Sequence, residues 1–273
     1  MSLSPRKLIA GRFELALERP LIMGVVNITP DSFSDGGRFF DSREAIAHAR
    51  RLADEGADLI DIGGESTRPG AAPVSVGQEL ERVIPVLSEL KDLPVSVDTR
   101  RPEVMRAALA AGASMINDVD ALTAPGALQA VAAGNCAVCL MHKKGEPATM
   151  QRDPHYDDVV REVKDFLKQR VEAALAAGVA AARIVVDPGF GFGKTLEHNL
   201  ELLSRLGELS EFPILAGLSR KSTIGKITGR GVDQRLAGSL TLALLALQHG
   251  ATILRVHDVK ETRDVIAVWQ ASK

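Results

Sequence analysis

Eight short apolar runs recur along this chain, each followed by a longer amphipathic stretch. This alternation limits the possible fold more than any other feature. The apolar runs are Leu21–Val26, Leu59–Ile62, Val95–Val97, Ser114–Ile116, Ala137–Met141, Ile184–Val186, Ile214–Ala216 and Ile253–Val256. Helical periodicity covers Arg43–Glu55, Gln78–Leu90, Pro102–Ala111, Gly126–Ala132, Asp157–Ala177, Leu196–Leu206 and Gln234–His249, with Val259–Gln270 after the eighth run. Runs this short and this apolar read as strands buried on both faces, and their alternation with helices gives βαβ units and a parallel sheet. Eight units within ~250 residues fit a closed (β/α)8 barrel better than an open doubly wound sheet. Asp41 and Ser42 stand before the first helix, and Pro102 opens the third. Both are helix-start signals. Gly56, Gly112, Gly178 and Gly250 stand where helices should stop. Residues 1–20 precede the first strand, and we expect a short hairpin there, around Leu8 and Phe13, closing the N-terminal end of the barrel. No linker or change of composition interrupts the pattern, so residues 1–273 read as one domain.

Composition removes several classes of function. Lys and Arg number 33 against 35 Asp and Glu, a net charge of −2. A nucleic-acid or anionic-membrane partner calls for a basic excess that is not there. Aromatic residues are 4% of the chain, too few for a base-stacking platform. No apolar run approaches the ~20 residues of a membrane span, and the opening MSLSPRKLIAGRFEL lacks the apolar core of a secretory signal. The expectation is a cytoplasmic protein acting on small molecules. Cys136 and Cys139 form a C-x-x-C spacing, but AVCLM reads as a buried strand that would point the two thiols to opposite faces. No second pair completes a zinc site, so both are expected in the core.

A barrel places chemistry at the C-terminal ends of its strands. Those ends read Asn27; Asp61 with Gly63 and Gly64; Asp98; Asn117 and Asp118; His142; Asp187; Ser219 to Lys221; and Arg255 with His257. Loop polarity alone does not explain so many carboxylates, amides and cations from separate strands meeting at one mouth. After the first strand, GVVNITPDSFSDGGRF offers the Asn27 amide oxygen, suited to Mg²⁺ or its ordered water. Phe33 there sits on a turn-rich loop, and loops carry function. The N-I-T sequon at Asn27 is set aside, because it continues into Pro30 in a chain with no secretory signal. After the second strand, IDIGGESTRPGA offers close backbone approach at two glycines, hydroxyls at Ser66 and Thr67, and a bidentate anion binder at Arg68. It reads as an anion loop. GFGKT is not a phosphate-binding P-loop, since Pro188 stands where that motif needs Gly, and Lys194 breaks a G-x-G-x-x-G reading. His142 and His257 lack metal-pair spacing; His48, His155, His198 and His249 read as helix-surface or loop residues.

Taken in order, LIMGVVNITPDSFSDGGRF, DIGGESTRPGA, SVDTRRPEV, INDV, LMHKKGEPATMQ, DPGFGFGKT, GLSRKS and RVHDV run from Leu21 to Val259. This ordered set resembles the dihydropteroate synthase family, whose fold is a pterin-binding (β/α)8 barrel. The resemblance implies condensation of 7,8-dihydropterin-6-ylmethyl diphosphate with 4-aminobenzoate to 7,8-dihydropteroate and pyrophosphate, a step of folate synthesis. It implies pterin contacts at Asp98, Asn117, Met141, Asp187, Phe190, Gly217, Lys221 and Arg255. The implied diphosphate cradle is Asn27, Ser66, Arg68, Arg255 and His257, with Mg²⁺ at Asn27. The implied aminobenzoate site is Phe33, Thr67, Pro69, Lys221 and Ser222, with Ser222 expected to cap a following helical turn. Pyrophosphate would leave first and the arylamine would capture the cation, with Asp35, Asp98, Lys221 and Arg255 as the catalytic residues. The resemblance also implies a homodimer and competition by sulfonamides. The chain departs from the pattern at Lys143 and Lys144, on a segment expected to be mobile, and at Arg101, where Lys is common. Two other readings share the pterin contacts. A methyltetrahydrofolate:corrinoid methyltransferase needs no diphosphate cradle, whereas Arg68, Ser222 and His257 are present; a catalytically silent homologue would lack some of Asn27, Asp187, Lys221 and Arg255, and none is missing.

Overall fold

The computed structural model describes residues 7–28, 38–65, 74–145, 149–209 and 211–273. The chain opens with an antiparallel hairpin of β1 (Lys7–Ala10) and β2 (Phe13–Ala16), turned at Gly11 with φ +64°. The barrel follows as β3 (Leu21–Asn27), α1 (Arg38–Asp54), β4 (Leu59–Gly63), α2 (Val76–Glu89), β5 (Val95–Asp98) and α3 (Pro102–Ala111). Next come β6 (Met115–Asp118), α4 (Ala127–Ala132), β7 (Ala137–Met141), α5 (Val159–Ala176), β8 (Ile184–Asp187) and α6 (Leu196–Ser204). The last turn of the pattern is β9 (Leu215–Ala216), α7 (Ser222–Thr228), α8 (Leu236–Gln248), β10 (Ile253–Val256) and α9 (Val259–Ala271).

The eight barrel strands are parallel, in the order β8-β7-β6-β5-β4-β3-β10-β9. A parallel bridge between Val186 and Ile214 joins the two ends. The expected barrel and hairpin are therefore present. All eight predicted strands lie where expected, with no end shifted by more than two residues. Gly56, Gly112, Gly178 and Gly250 all adopt positive φ at helix ends, and Pro102 occupies the first turn of α3.

Two local expectations fail. α1 begins at Arg38, so Asp41 and Ser42 lie inside the helix rather than before it. The helical turn expected at Ser222 is present as α7, which the periodicity alone did not reveal. Lys221, not Ser222, occupies the N-cap position of α7, and no side chain caps it; Ser222 is the first helical residue. Where caps do form, local chemistry explains them. Ser75 and Gln78 make a capping box on α2, Thr195 and His198 make one on α6, and Asp158 accepts from Arg161 N on α5.

Strand alternation divides the core in two. Outward side chains meet the helices in one large cluster. Inward side chains Leu21, Met23, Leu59, Met115, Ala137, Cys139, Val185, Leu215 and Ile253 fill the barrel, joined from below by Leu8 and Ala10 of the hairpin. The hairpin thus plugs the barrel floor. Cys136 falls in the outer cluster and Cys139 in the inner one, both buried and free, as the strand reading required.

Candidate active site

Moving two residues along each strand from the apolar layer keeps a side chain on the same face. Two residues beyond Leu59 is Asp61; beyond Ser96, Asp98; beyond Met115, Asn117; beyond Val185, Asp187; beyond Ile253, Arg255. A polar layer therefore rests directly on the apolar filling. Arg255 Nε donates to Asp61 Oδ2 at 2.7 Å and Nη2 to Asp98 Oδ2 at 3.1 Å. Asn117 Nδ2 donates to the same Asp61 Oδ2 at 3.2 Å. Asp61 Oδ1 is buried with no hydrogen-bond partner. One guanidinium thus joins β4, β5 and β10.

Electrostatics follow from this burial. Burial pushes the Asp98 carboxyl up to about 7; Arg255 opposes the shift, while Asp61 and Asp118 add to it. Burial works against the Arg255 charge, and the Asp61 and Asp98 carboxylates outweigh it. Across the mouth, burial lowers Lys221 to about 8, with Asp187 opposing. Burial raises Asp187, with Lys221 opposing. Cys139 lies beneath, its thiol pushed well up by burial and by the Asp187 and Asp61 carboxylates. Asp118 does not join them. It faces outward and accepts from Asp120 N at 2.7 Å and Leu122 N at 2.8 Å, holding a turn in which Ala121 and Leu122 have positive φ.

The stretch after β8 is built with every carbonyl from Gly189 to Gly193 engaged. Gly189 O accepts from Phe192 N at 3.1 Å, and Tyr156 Oη donates to Gly193 O at 2.9 Å. Gln151 donates to Gly191 O, Lys221 Nζ to Phe190 O, and Lys194 Nζ to Gly189 O and Phe192 O. Gly189 N donates to Asp187 Oδ1 at 2.7 Å. Gly189 has φ +68°, and a Cβ there would sit 1.8 Å from the backbone oxygen of His142. Gly189→Ala combines a backbone clash with a strained φ. We expect it to cost about 3 kcal/mol or more by urea unfolding; an unchanged midpoint would contradict the close approach.

The rim carries the remaining predicted residues. Asn27 ends β3, half-buried and paired in register with Gly63. Ser219 Oγ lies 3.0 Å from His257 Nδ1 and accepts from His257 N at 3.3 Å. Gly217 faces the Arg255 and Lys221 side chains, and Met141 and Phe190 are buried. His142 is a buried structural residue, its imidazole pushed down to about 3 by burial and by Lys194. Lys143 is paired with Asp120 at 2.6 Å, and Lys144 reaches Glu162 at 3.0 Å and the Tyr156 ring at 4.1 Å. The two lysines expected on a mobile segment are therefore tied down. Arg101 donates to Glu79 at 2.5 Å and to Glu65 at 3.0 Å, anchoring the start of the loop after β4. Phe33, Asp35, Ser66, Thr67, Arg68 and Pro69 lie outside the described residues.

A family model described as pterin binding enzyme matches residues 23–257. The dihydropteroate synthase of Escherichia coli (strain K12) is 49% identical over 271 residues, covering 97% of this chain and 96% of the relative. The chain belongs to the dihydropteroate synthase family of pterin-binding enzymes. Solved dihydropteroate synthases share its fold throughout. The Xanthomonas albilineans enzyme, solved with 4-aminobenzoic acid, superposes with a TM-score of 0.93 at 56% identity, covering 98% of both chains. The Yersinia pestis enzyme, solved in complex with a sulfonamide drug, superposes with a TM-score of 0.92 at 47% identity, covering 97% of this chain and 98% of that one. Within this family frame, sequence reasoning placed Asp61 at the mouth without a role and dismissed Lys194 along with the P-loop. The signal for Asp61 was its spacing of two from inward-facing Leu59; for Lys194 there was none.

Proposed function

We infer that this chain condenses 7,8-dihydropterin-6-ylmethyl diphosphate with 4-aminobenzoate, releasing pyrophosphate and forming 7,8-dihydropteroate for folate synthesis. The observation that carries this reading is the buried polar layer, in which Arg255 spans Asp61 and Asp98 while Lys221 and Asp187 stand across the mouth. The pterin's amidine-like edge donates two N–H groups, and the Asp187 carboxylate is suited to accept both. Asp98 and Asn117 take further ring contacts, Lys221 the opposite edge, and Met141, Phe190 and Gly217 the walls. Arg255 stacks on the ring face and reaches phosphate. Asn27, Ser66, Arg68 and His257 complete the diphosphate cradle.

The reaction breaks the bond from the pterin methylene carbon to diphosphate oxygen first, and the electron pair leaves with pyrophosphate. The electron-rich dihydropterin spreads the positive charge, while Asp98 and Asp35 stabilise it electrostatically. The neutral arylamine, held by Phe33, Thr67, Pro69, Lys221 and Ser222, then forms the C–N bond and releases its proton. No strong base is needed before attack. Mg²⁺ fits here, since it takes one or two protein oxygens beside phosphate and water, and the Asn27 amide oxygen is such a donor. The carboxylate-rich cluster of an all-protein metal cage is absent among the described residues, which such a site does not require. When bound, Mg²⁺ would neutralise charge on the departing diphosphate.

The same reading carries a homodimer and a cytoplasmic location. Leu200, Ile227 and Leu236, on α6, α7 and α8, leave apolar side chains exposed for self-association. No helix among the described residues is long and apolar enough to cross a membrane. The test mixes purified chain, Mg²⁺, the dihydropterin diphosphate and 4-aminobenzoate, and looks for dihydropteroate by chromatography. Absence of product with the pterin still bound would move the reading to a methyltransferase or a silent homologue. Sulfonamides are expected to raise the apparent KM for aminobenzoate with kcat unchanged; no inhibition at low aminobenzoate would count against the shared site.

A further inference from the structure

Lys194 is 1% exposed, and no hydrogen-bonding carboxylate accompanies it. A buried cation is costly unless its donors are satisfied. Here they are met by neutral acceptors: Gly189 O at 3.0 Å, Phe192 O at 3.1 Å and His142 Nδ1 at 3.0 Å. His142 is kept neutral by burial and by Lys194 itself, so its Nδ1 is free to accept. Gly189 and Phe192 are the two ends of one turn, closed by the Phe192 N–H on Gly189 O. A single ammonium therefore gathers both ends of the turn and ties them to the residue after β7.

That turn holds two pieces of the pterin slot. Gly189 N donates to the Asp187 carboxylate, and the Phe190 carbonyl receives Lys221. Its close fit leaves little slack, since a Cβ at Gly193 would come within 2.1 Å of Lys144 O. A methionine of similar length would fill the same volume at no charge cost, so shape alone does not account for an ammonium there. We propose that Lys194 is a positioning residue for the pterin, its ammonium fixing the Gly189–Phe192 turn and, through it, the Asp187 carboxylate and the acceptor of Lys221. This rests on the pterin reading of the site above. Burial lowers Lys194 to about 7, with the nearby Asp187 carboxylate opposing the shift and Lys221 and Lys144 adding to it.

The test is Lys194→Met, read by calorimetry with dihydropterin diphosphate and by separate KM values for the two substrates. Pterin binding should weaken by about tenfold or more, the scale of one lost charged hydrogen bond. The KM for aminobenzoate should rise less than the pterin affinity falls, because its proposed site shares only Lys221 with the pterin slot. A folded variant with parental pterin affinity, or one in which both KM values rise equally, overturns the proposal. If Lys194→Met does not fold, Lys194→Gln, which keeps two N–H donors without the charge, is held to the same split. Calorimetry needs no turnover. A parent chain that binds no pterin overturns the functional reading and this proposal with it; a parent that binds and a variant that binds equally overturn the proposal alone.

Discussion

Arg255→Met is expected to reduce turnover by about 10²–10³-fold, the usual cost of removing one preorganised charge from a developing anion. The loss should appear in kcat as well as KM, since the role proposed for the guanidinium covers both the pterin and the departing phosphate. The same change should also damage the fold. Arg255 neutralises Asp61, which is fully buried, and Asp98, which keeps 16% side-chain exposure. Removing one partner of a buried ion pair leaves uncompensated charge and costs roughly 3 kcal/mol or more. The pH dependence has a definite sign. Burial raises Asp98 from an ordinary 3.8 to about 7, so the folded state holds that proton more tightly than the unfolded chain. Its contribution to stability therefore falls as pH rises from the unfolded value to about 7, then levels off. Without Arg255 the folded value moves higher still, and stability keeps falling above pH 7. Asp98's share of the gap between parent and variant should thus open above pH 7. Urea unfolding at pH 6 and pH 8.5 would show it, and an identical gap at both pH values would contradict the arrangement.

Asp187→Asn should leave the barrel folded and weaken binding of the dihydropterin diphosphate by about 10²-fold. Asn keeps an oxygen for the Gly189 N–H but, in the proposed pterin pose, turns a donor toward one of the ring's two N–H groups. Losing one charge-assisted bond and setting two donors face to face costs roughly 3 kcal/mol. Lys221 also loses the carboxylate that opposes its downward shift, so it should surrender its proton below the parent value of about 8. Calorimetry at pH 7 with the pterin substrate reads the affinity directly; an unchanged dissociation constant would remove Asp187 from the pterin role.

The barrel was legible in the sequence because its strands are buried on both faces and so appear as unbroken apolar runs. α7 was legible only as a helical turn at Ser222, since Ser222–Thr228 makes fewer than two turns and offers no window in which a 3.6-residue period can show. Ser222 was assigned a capping role from its hydroxyl alone, but the helix starts one residue too early for that. At the site, the charged strand ends could be read one by one. What could not be read was which of them touch. Arg255 and Asp61 are 194 residues apart, and only the register of β3 between β4 and β10 brings them side by side. Lys194 was invisible for a different reason. A lysine beside glycines reads as a loop residue until the chain is seen to bury it, and burial is a property of the packed turn.

The barrel's hydrogen-bonded wall has one thin place. β9 has only two residues, and among the described residues its side of the barrel joins β8 through the single bridge of Val186 with Ile214. Asp187 stands on one side of that seam and Lys221 on the other. A molecule gripping both works as a staple across the weakest joint in the wall, so breathing of the barrel and occupancy of the slot become one equilibrium. The empty protein would open there most readily, and a bound pterin would quiet that motion before any bond is broken.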